Sequence, residues 1–340
     1  MIEENCEISV CVLSYNHEKY IRECLDSILA QKTKFVFEIL IHDDASTDGT
    51  QKIIQEYQKV YPERIRVIIE EENQFQNGCK AVLFEKVFPK VRGRYIALCE
   101  SDDYWCEINK LQEQYDALEN NKDCNICTTE TTVINENGHK TGVVIPQRYV
   151  APGIIPGTQM LNYISYNDTH LFHTSSMMFR SAVFKKIEYK LPRFMTVSYT
   201  GDRAIILYLA TCGNLFFIKQ KMSCYRIMSI GSWSSKVSAS KIAHYNSDLD
   251  IREMAKAFNQ YTSSKYSQQM HHYITIINFR IYLYERNYRK VCSARYKELF
   301  LKLSFKERLY YSVCSKFPMI DKIYCRLKNK KTGCRLNDNN

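Results

Sequence analysis

Three short polar clusters, each directly behind a run of apolar and β-branched residues, hold the side chains of this 340-residue chain that could do chemistry. The first is Ser14-Tyr15-Asn16, after the run Ile8 to Leu13. The second is His42-Asp43-Asp44-Ala45-Ser46-Thr47-Asp48-Gly49-Thr50 and the third Glu100-Ser101-Asp102-Asp103-Tyr104-Trp105. Ligands of parallel α/β sheets bind beyond the carboxyl ends of strands, so carboxylates from two separate strands converge here on one edge. One reading makes Asp43, Asp48 and Asp102 helix N-caps, a common role for Asp after a strand. The other is a cation site. Glu100, Asp102 and Asp103 repel one another unless a cation or hydrogen-bond donors offset their charge. A hard divalent ion, held by one or two carboxylates and the phosphates of a substrate, would do so. Dinucleotide and P-loop chemistries are set aside, because no G-x-G-x-x-G follows the first strand and G-x-x-x-x-G-K-[ST] occurs nowhere. What remains is a nucleotide whose diphosphate is held by a metal.

The elements that must position these clusters are legible from periodicity. Ile8 to Leu13 reads as a strand, and Glu18 to Gln31 places Ile21, Cys24, Leu25, Ile28 and Leu29 on one helical face. A strand at Phe37 to Ile41 precedes a helix marked by Ile53, Ile54, Tyr57, Val60 and Tyr61, which Pro62 ends. Strands at Ile65 to Ile69 and Tyr95 to Cys99 flank a helical segment around Ala81 to Val87, and Leu111, Tyr115 and Leu118 mark the next helix. Strands alternating with helices at this spacing specify an α/β fold with a mostly parallel sheet and flanking helices. From Asn135 to Thr158 the Gly, Pro and Asn content predicts a boundary or a long loop. A mixed segment, His170 to Trp233, and a long helical stretch complete the chain.

The succession Ile8 to Asn16, Asp43 to Thr50 and Glu100 to Trp105 resembles family 2 glycosyltransferases. His173 to Arg180, Gly201-Asp202-Arg203 and Tyr225-Arg226-Ile227 are similar to a bacterial surface-polysaccharide branch of that family. The resemblance covers roughly the first 235 residues and implies a GT-A type, Rossmann-like domain over 1–235, with a nucleotide-binding half (1–130) and an acceptor-side half (131–235). By position it implies that Ser14, Tyr15 and Asn16 line the nucleotide pocket, that Asp44 hydrogen-bonds a uracil-like base, and that Asp102 ligates Mn²⁺ or Mg²⁺. Glu100-Ser101-Asp102 stands where the family carries D-x-D; by this resemblance Glu100 contacts the sugar or the ribose of the donor, and Asp103 touches the donor sugar or serves only to fix the loop. Asp202 is the implied general base of an inverting transfer from a nucleotide sugar, its alternative being a helix N-cap. His173, Ser175 and Ser176 are candidate diphosphate or acceptor contacts, and Trp105 and Trp233 stack on sugar rings or lie buried. A non-catalytic carbohydrate-binding protein and a metal-dependent nucleotidyltransferase are the rival readings.

Composition bounds the setting. Apolar residues make up 45% of the chain, enough for a sizeable core, and the N-terminus lacks a basic segment followed by an apolar run. No stretch reaches the ~18 apolar residues of a membrane span. A cytoplasmic protein is expected, with its 14 cysteines as reduced thiols and no metal or redox role for Cys124 and Cys127 or for His271-His272. The net charge of +10 is concentrated from Ile276 onward, where 16 Lys or Arg face 5 Asp or Glu. This helical basic region, 236–340, suits an anionic membrane surface, with Ile320, Ile323, Tyr324 and Leu327 at helical spacing, or else packs on the catalytic domain. The acceptor is then a glycan or lipid-linked sugar, and no nucleic-acid module is found.

Overall fold

The computed structural model describes residues 6–167, 171–185, 187, 191–198, 201–227, 240–321 and 323. It divides into two compact units, Met1–Tyr273 and Ile274–Asn340.

The first unit opens with the expected alternation: β1 (Cys6–Ser14), α1 (Ile21–Leu29), β2 (Val36–Asp43), α2 (Thr50–Val60), β3 (Ile65–Ile69) and β4 (Tyr95–Glu100). Between β3 and β4 the predicted helix is a π-helical turn at Leu83–Val87 followed by a 3₁₀ turn at Phe88–Lys90. Then come β5 (Tyr104–Trp105), α3 (Lys110–Asn120), β6 (Cys124–Ile134), β7 (Lys140–Ile145), β8 (Gly153–Ile155) and α4 (Gly157–Asn167). After these lie β9 (Met178–Arg180), α5 (Ala182–Lys185), α6 (Arg193–Thr196), α7 (Gly201–Cys212) and β10 (Asn214–Arg226), with a further helix at Lys241–Tyr261.

Among the described residues one ten-stranded sheet runs β3-β2-β1-β4-β9-β6-β10-β5, with β7 added to β6 and β8 to β10. The β3-β2-β1-β4 half is parallel throughout. β6 and β10 are also parallel, whereas β9 and β5 insert antiparallel. The stretch from Asn135 to Thr158 is thus no boundary. It carries β7 and β8, both hydrogen-bonded into the sheet.

Parallel strands covered on both faces should be apolar along their length, and Ile8, Val10, Val12, Ile39 and Ile41 are fully buried. Ile21, Cys24, Leu25 and Ile28 of α1 lie in the same core cluster; each such aliphatic side chain contributes about 2 kcal/mol on burial. One buried charge is wired into this half. Glu38 accepts from the Ser9 hydroxyl at 2.6 Å, the Arg92 amide at 3.0 Å and the Arg66 guanidinium at 2.9 Å, so its desolvated carboxylate is offset. The Ser9 hydroxyl in turn accepts from the Gly93 amide at 2.9 Å, drawing the start of β4 against β1.

The second unit has its own small core of Phe279, Val291 and Tyr296, with Tyr282, Leu299, Phe300 and Tyr311 packed around it. Its helix Phe305–Lys316 begins with a capping box in which Ser304 and Glu307 satisfy each other's amides.

Gly93 has no room for a side chain: a Cβ there would lie 2.4 Å from the Ser9 amide nitrogen and 2.6 Å from the Ile8 carbonyl carbon. Both are backbone atoms of a central strand and cannot yield. Gly93→Ala should therefore cost about 3 kcal/mol in urea denaturation, and an unchanged midpoint would show that β1 and β4 approach less closely than described.

Candidate active site

The loops following β1 and β2 hold each other. The Asp44 amide donates to the Ser14 carbonyl, the Asn16 amide to the Ser46 hydroxyl at 2.9 Å, the Thr47 amide to Asn16 Oδ1 at 2.8 Å, and the His17 amide to Thr50 Oγ1 at 2.9 Å. Two residues pay in backbone strain for this arrangement, Asn16 at φ 55° and Ala45 at φ 60°. Asn tolerates the left-handed region, whereas Ala does so at a cost of roughly 1 kcal/mol that the surrounding bonds must offset. Those bonds come from the acidic pair beside it. Asp43 accepts from the Ser46 amide at 2.9 Å and Gln51 at 2.8 Å, and the Asp44 carboxylate grips the amides of Gln74 (2.7 Å) and Phe75 (3.1 Å). Tyr15 faces the same loop, its phenol accepting from Gln76 at 3.3 Å. Ser14 is buried and its hydroxyl has no hydrogen-bond partner, a polar atom left over at the end of β1.

Asp48 stands one residue ahead of the N-cap Gly49 and is satisfied by backbone donors, accepting from the Thr50 amide at the start of α2 and from the Glu18 amide. Capping does not account for Asp102, because the residues after it form β5 and the next helix begins only at Lys110.

The acidic loop after β4 is divided by function. Asp103 points inward: the Ser175 hydroxyl donates to Oδ2 at 2.5 Å, the Arg226 amide to Oδ1 at 2.9 Å, and His173 Nδ1 lies 3.4 Å away. Burial and then the neighbouring Asp102 charge push its pKa well above the usual carboxylate range. Asp102 lies 3.9 Å from His17 Nε2, whose other ring nitrogen meets the Ser101 hydroxyl at 2.6 Å. Glu100 is pushed up from 4.5 to about 8, first by burial, then by the charges of Asp102 and Asp202. Asp202 sits in the first turn of α7, so the helix carries it to the acidic loop. Its neighbour Arg203 hydrogen-bonds Tyr273 and feels the charges of Asp202 and Asp248.

Ser175 is a hub that its sequence context does not advertise. Besides Asp103 its hydroxyl serves the Glu100 amide (3.0 Å), and its carbonyl accepts from Trp105 Nε1 (2.9 Å). Trp105 is thereby buried, with Lys110 Nζ 4.2 Å from its ring centroid, and is unavailable for sugar stacking. Trp233 lies outside the described residues. His173 stacks on Tyr225 at 4.0 Å. Arg226 hydrogen-bonds the Asp102 carbonyl at 3.0 Å and His17 lies 3.9 Å from its carboxylate; the position of His17 just after Ser14-Tyr15-Asn16 was the one available signal for it.

The donor set suits a hard cation in a limited way. Among the described residues no group of three or more His, Cys, Asp or Glu side chains forms a complete metal cage. Glu100, Asp102 and Asp202 share one field of negative charge, as the rise at Glu100 shows. That matches an ion bound by one or two carboxylates with phosphate oxygens completing its shell. The twelve cysteines among the described residues are free.

An α/β sheet whose strand ends carry backbone-braced carboxylates belongs to the class of α/β folds that bind ligands beyond the carboxyl ends of their strands. The sequence comparison narrows it: residues 9–187 match the model of glycosyl transferase family 2, and the chain belongs to that family. An uncharacterised protein of Mycobacterium tuberculosis is 39% identical over 160 residues, 47% of this chain and 45% of the relative. The putative teichuronic acid biosynthesis glycosyltransferase TuaG of Bacillus subtilis is 40% identical over 111 residues, 33% of this chain and 41% of its own. The matched region thus spans less than half the length of these curated relatives. Among solved structures, S. aureus TarS 1-349 in complex with UDP-GlcNAc aligns with a TM-score of 0.56 at 18% identity, over 89% of this chain and 77% of that one. The mannosyltransferase PcManGT of Pyrobaculum calidifontis, in complex with GDP-Man and Mn²⁺, gives 0.53 at 14% identity, over 92% and 87%. These likenesses establish the GT-A type fold.

A carboxyl with a raised pKa in the folded state keeps a proton that the unfolded chain has released. The contribution of Glu100 to stability is therefore full below about pH 4.5 and is lost as the pH rises through about 8. In metal-free buffer the melting temperature should fall between about pH 5 and 8 more steeply for the native chain than for Glu100→Gln, which has no such proton to lose. Parallel melting curves would show that burial and the charges of Asp102 and Asp202 do not hold a proton on Glu100.

Proposed function

We propose that this chain is a metal-dependent, inverting glycosyltransferase that moves a sugar from a nucleotide sugar, a UDP-sugar by preference, to a glycan or lipid-linked acceptor in bacterial surface polysaccharide synthesis. The observation that carries the reading is the meeting of Ser14, Tyr15, Asn16, Asp44 and the Glu100–Asp102 loop at one sheet edge of a family 2 domain, with Asp202 facing it from α7. The UDP-GlcNAc complex of TarS, the Mn²⁺ complex of the mannosyltransferase and the polysaccharide role in the name of TuaG support the donor, metal and setting.

In this reading Ser14 offers its unpaired hydroxyl to the nucleotide, and Tyr15 and Asn16 wall the pocket. Asp44 already holds Gln74 and Phe75, yet each carboxylate oxygen has a second lone pair that can accept from a base N–H. Asp102 is the metal ligand, Glu100 lies beside the donor sugar, and Asp103 fixes the loop from within. A divalent ion bound there supplies positive charge beside the departing diphosphate. Asp202 takes the proton from the acceptor hydroxyl while its oxygen attacks the anomeric carbon opposite the leaving group. One displacement inverts the carbon.

The anionic-membrane contact of the basic C-terminal region draws support from the second unit. Phe305 and Leu309, one helical turn apart, are 72% and 56% exposed, and Phe317, Met319 and Ile323 are exposed as well. Lys302, Lys306 and Lys316 are exposed beside them, the composition of a surface that settles in an anionic interface. Tyr324 and Leu327 of the expected amphipathic segment lie outside the described residues. No helix among the described residues is long and apolar enough to cross a membrane.

Two measurements follow. Incubation with UDP-, GDP-, dTDP- and CDP-sugars and Mn²⁺ should release nucleoside diphosphate from one of them, and Asp202→Asn should lower kcat by about 10³-fold or more with the donor KM within a few-fold; no release from any nucleotide sugar, with pyrophosphate formed instead from a nucleoside triphosphate and a sugar 1-phosphate, would identify a nucleotidyltransferase. In vesicle sedimentation the chain should bind anionic phospholipid at low salt, and the double change Phe305→Ser, Leu309→Ser should reduce binding by about tenfold. Equal binding of the two proteins would remove this face from the contact.

A further inference from the structure

We propose that Arg226 is a positioning residue for metal-dependent donor binding: its guanidinium holds the main chain of Asp102 so that the Asp102 carboxylate is aimed at the diphosphate. The inference rests on the glycosyltransferase reading given above.

Arg226 is the last residue of β10 and only 3% exposed. All three of its guanidinium nitrogens are engaged, each on a different part of the chain. Nε donates to the Asp102 carbonyl at 3.0 Å, Nη1 to the carbonyls of Glu136 (3.1 Å) and Asn135 (3.4 Å), and Nη2 to Glu23 Oε2 at 2.5 Å. The guanidinium carbon lies 4.8 Å from the Tyr20 ring centroid. Its own amide donates to Asp103 Oδ1 at 2.9 Å. One residue thereby joins α1, the acidic loop, the β6–β7 turn and β10.

Stability is a poor explanation for such a group. A buried ion pair gains little over well-packed apolar residues of similar volume, and the carboxylate paired with Arg226, that of Glu23, belongs to a side chain that is 52% exposed. Geometry is the better explanation. A planar guanidinium presents its donors in a fixed fork, which an ammonium cannot reproduce, and the fork fixes the orientation of the Asp102 peptide. The side chain of that residue leaves the Cα bounded by the same peptide, so a carbonyl free to rotate would let the carboxylate swing within the acidic field of Glu100 and Asp202. Asp103 complements the arrangement by anchoring the next residue to Ser175 and to the Arg226 amide.

The test uses the full chain, Mn²⁺ and UDP. Free Mn²⁺ is followed by electron paramagnetic resonance during titration in the presence of UDP, alongside the melting temperature without ligand. Loss of an outer contact to a metal ligand typically lowers metal affinity by 10–100-fold, so Arg226→Gln should raise the apparent Mn²⁺ dissociation constant by about tenfold or more. Arg226→Lys, which keeps the charge and one donor, should recover part of the loss; it also serves if the Gln variant does not fold. Native Mn²⁺ affinity in either folded variant overturns the proposal. Asp102→Ala separates the two claims. If it binds Mn²⁺ and UDP as the native chain does, the metal assignment itself fails and the proposal with it. If Asp102→Ala loses binding while Arg226→Gln keeps it, the proposal alone fails.

Discussion

Mutual repulsion among Glu100, Asp102, Asp103 and Asp202 is the constraint around which this end of the sheet is organised. Burial and then the charges of Asp102 and Asp202 raise the cost of ionising Glu100, and burial and then the charge of Asp102 raise it for Asp103. The protein lowers that cost by treating the four differently. Asp103 is turned into the core and given an alcohol and a backbone amide. His17 and the Arg226 guanidinium stand beside Asp102, one at its carboxylate and one at its carbonyl. Glu100 retains a proton more readily than a free glutamate, and Asp202 arrives from a separate helix. A site with this much residual negative charge is suited to a ligand that brings a cation with it.

The supporting fold follows from where the two halves of the sheet meet. In the parallel half, β1, β2 and β4 end side by side in Ser14, Asp43 and Glu100 through an in-step register: Ser14 opposite Asp43, Leu13 opposite Glu100. β9 enters antiparallel between β4 and β6, and the 3₁₀ turn before it, Thr174–Ser176, delivers Ser175 beneath the acidic loop. β10 then returns parallel to β6 and brings Arg226 to the same edge. The chain belongs to glycosyl transferase family 2 through a match ending at residue 187, so Asp202 and Arg226 lie beyond the matched stretch and owe their place at the site to this second half of the sheet.

Much of the first half was legible in the sequence because its signals are local. Alternation of apolar runs with helical spacing located β1 through α3, and strand-end polarity located the three clusters. The rest depends on partners far away in the chain. β5 has two residues, too few to show a period, and β7 is exposed along most of its length, so the Gly and Pro content around it read as a boundary or a long loop. Asp103 could not be told from Asp102 by type or spacing, since they differ only in which side of the loop meets Ser175, 72 residues later. Ser175 stood as a candidate ligand contact in the sequence, but its bracing of Asp103 and Glu100, like the place of His17 beside Asp102, shows only once the hydrogen-bond partners are known. The capping explanation, reasonable for any Asp after a strand, falls short at Asp48, where Gly49 is the cap and Asp48 accepts from the Thr50 amide, and fails at Asp102, where a strand, β5, follows.

The central claim is that the edge formed by β1, β2 and β4 binds a nucleoside diphosphate through a divalent ion on Asp102. A crystal of the full chain grown with UDP and Mn²⁺, and measured near the manganese absorption edge, tests it most directly. The account predicts one anomalous peak at bonding distance from the Asp102 carboxylate, shared with diphosphate oxygens, and a nucleoside lying against Tyr15 and the Asp44 loop. Nucleotide bound without manganese, or a manganese peak away from Asp102, would contradict it.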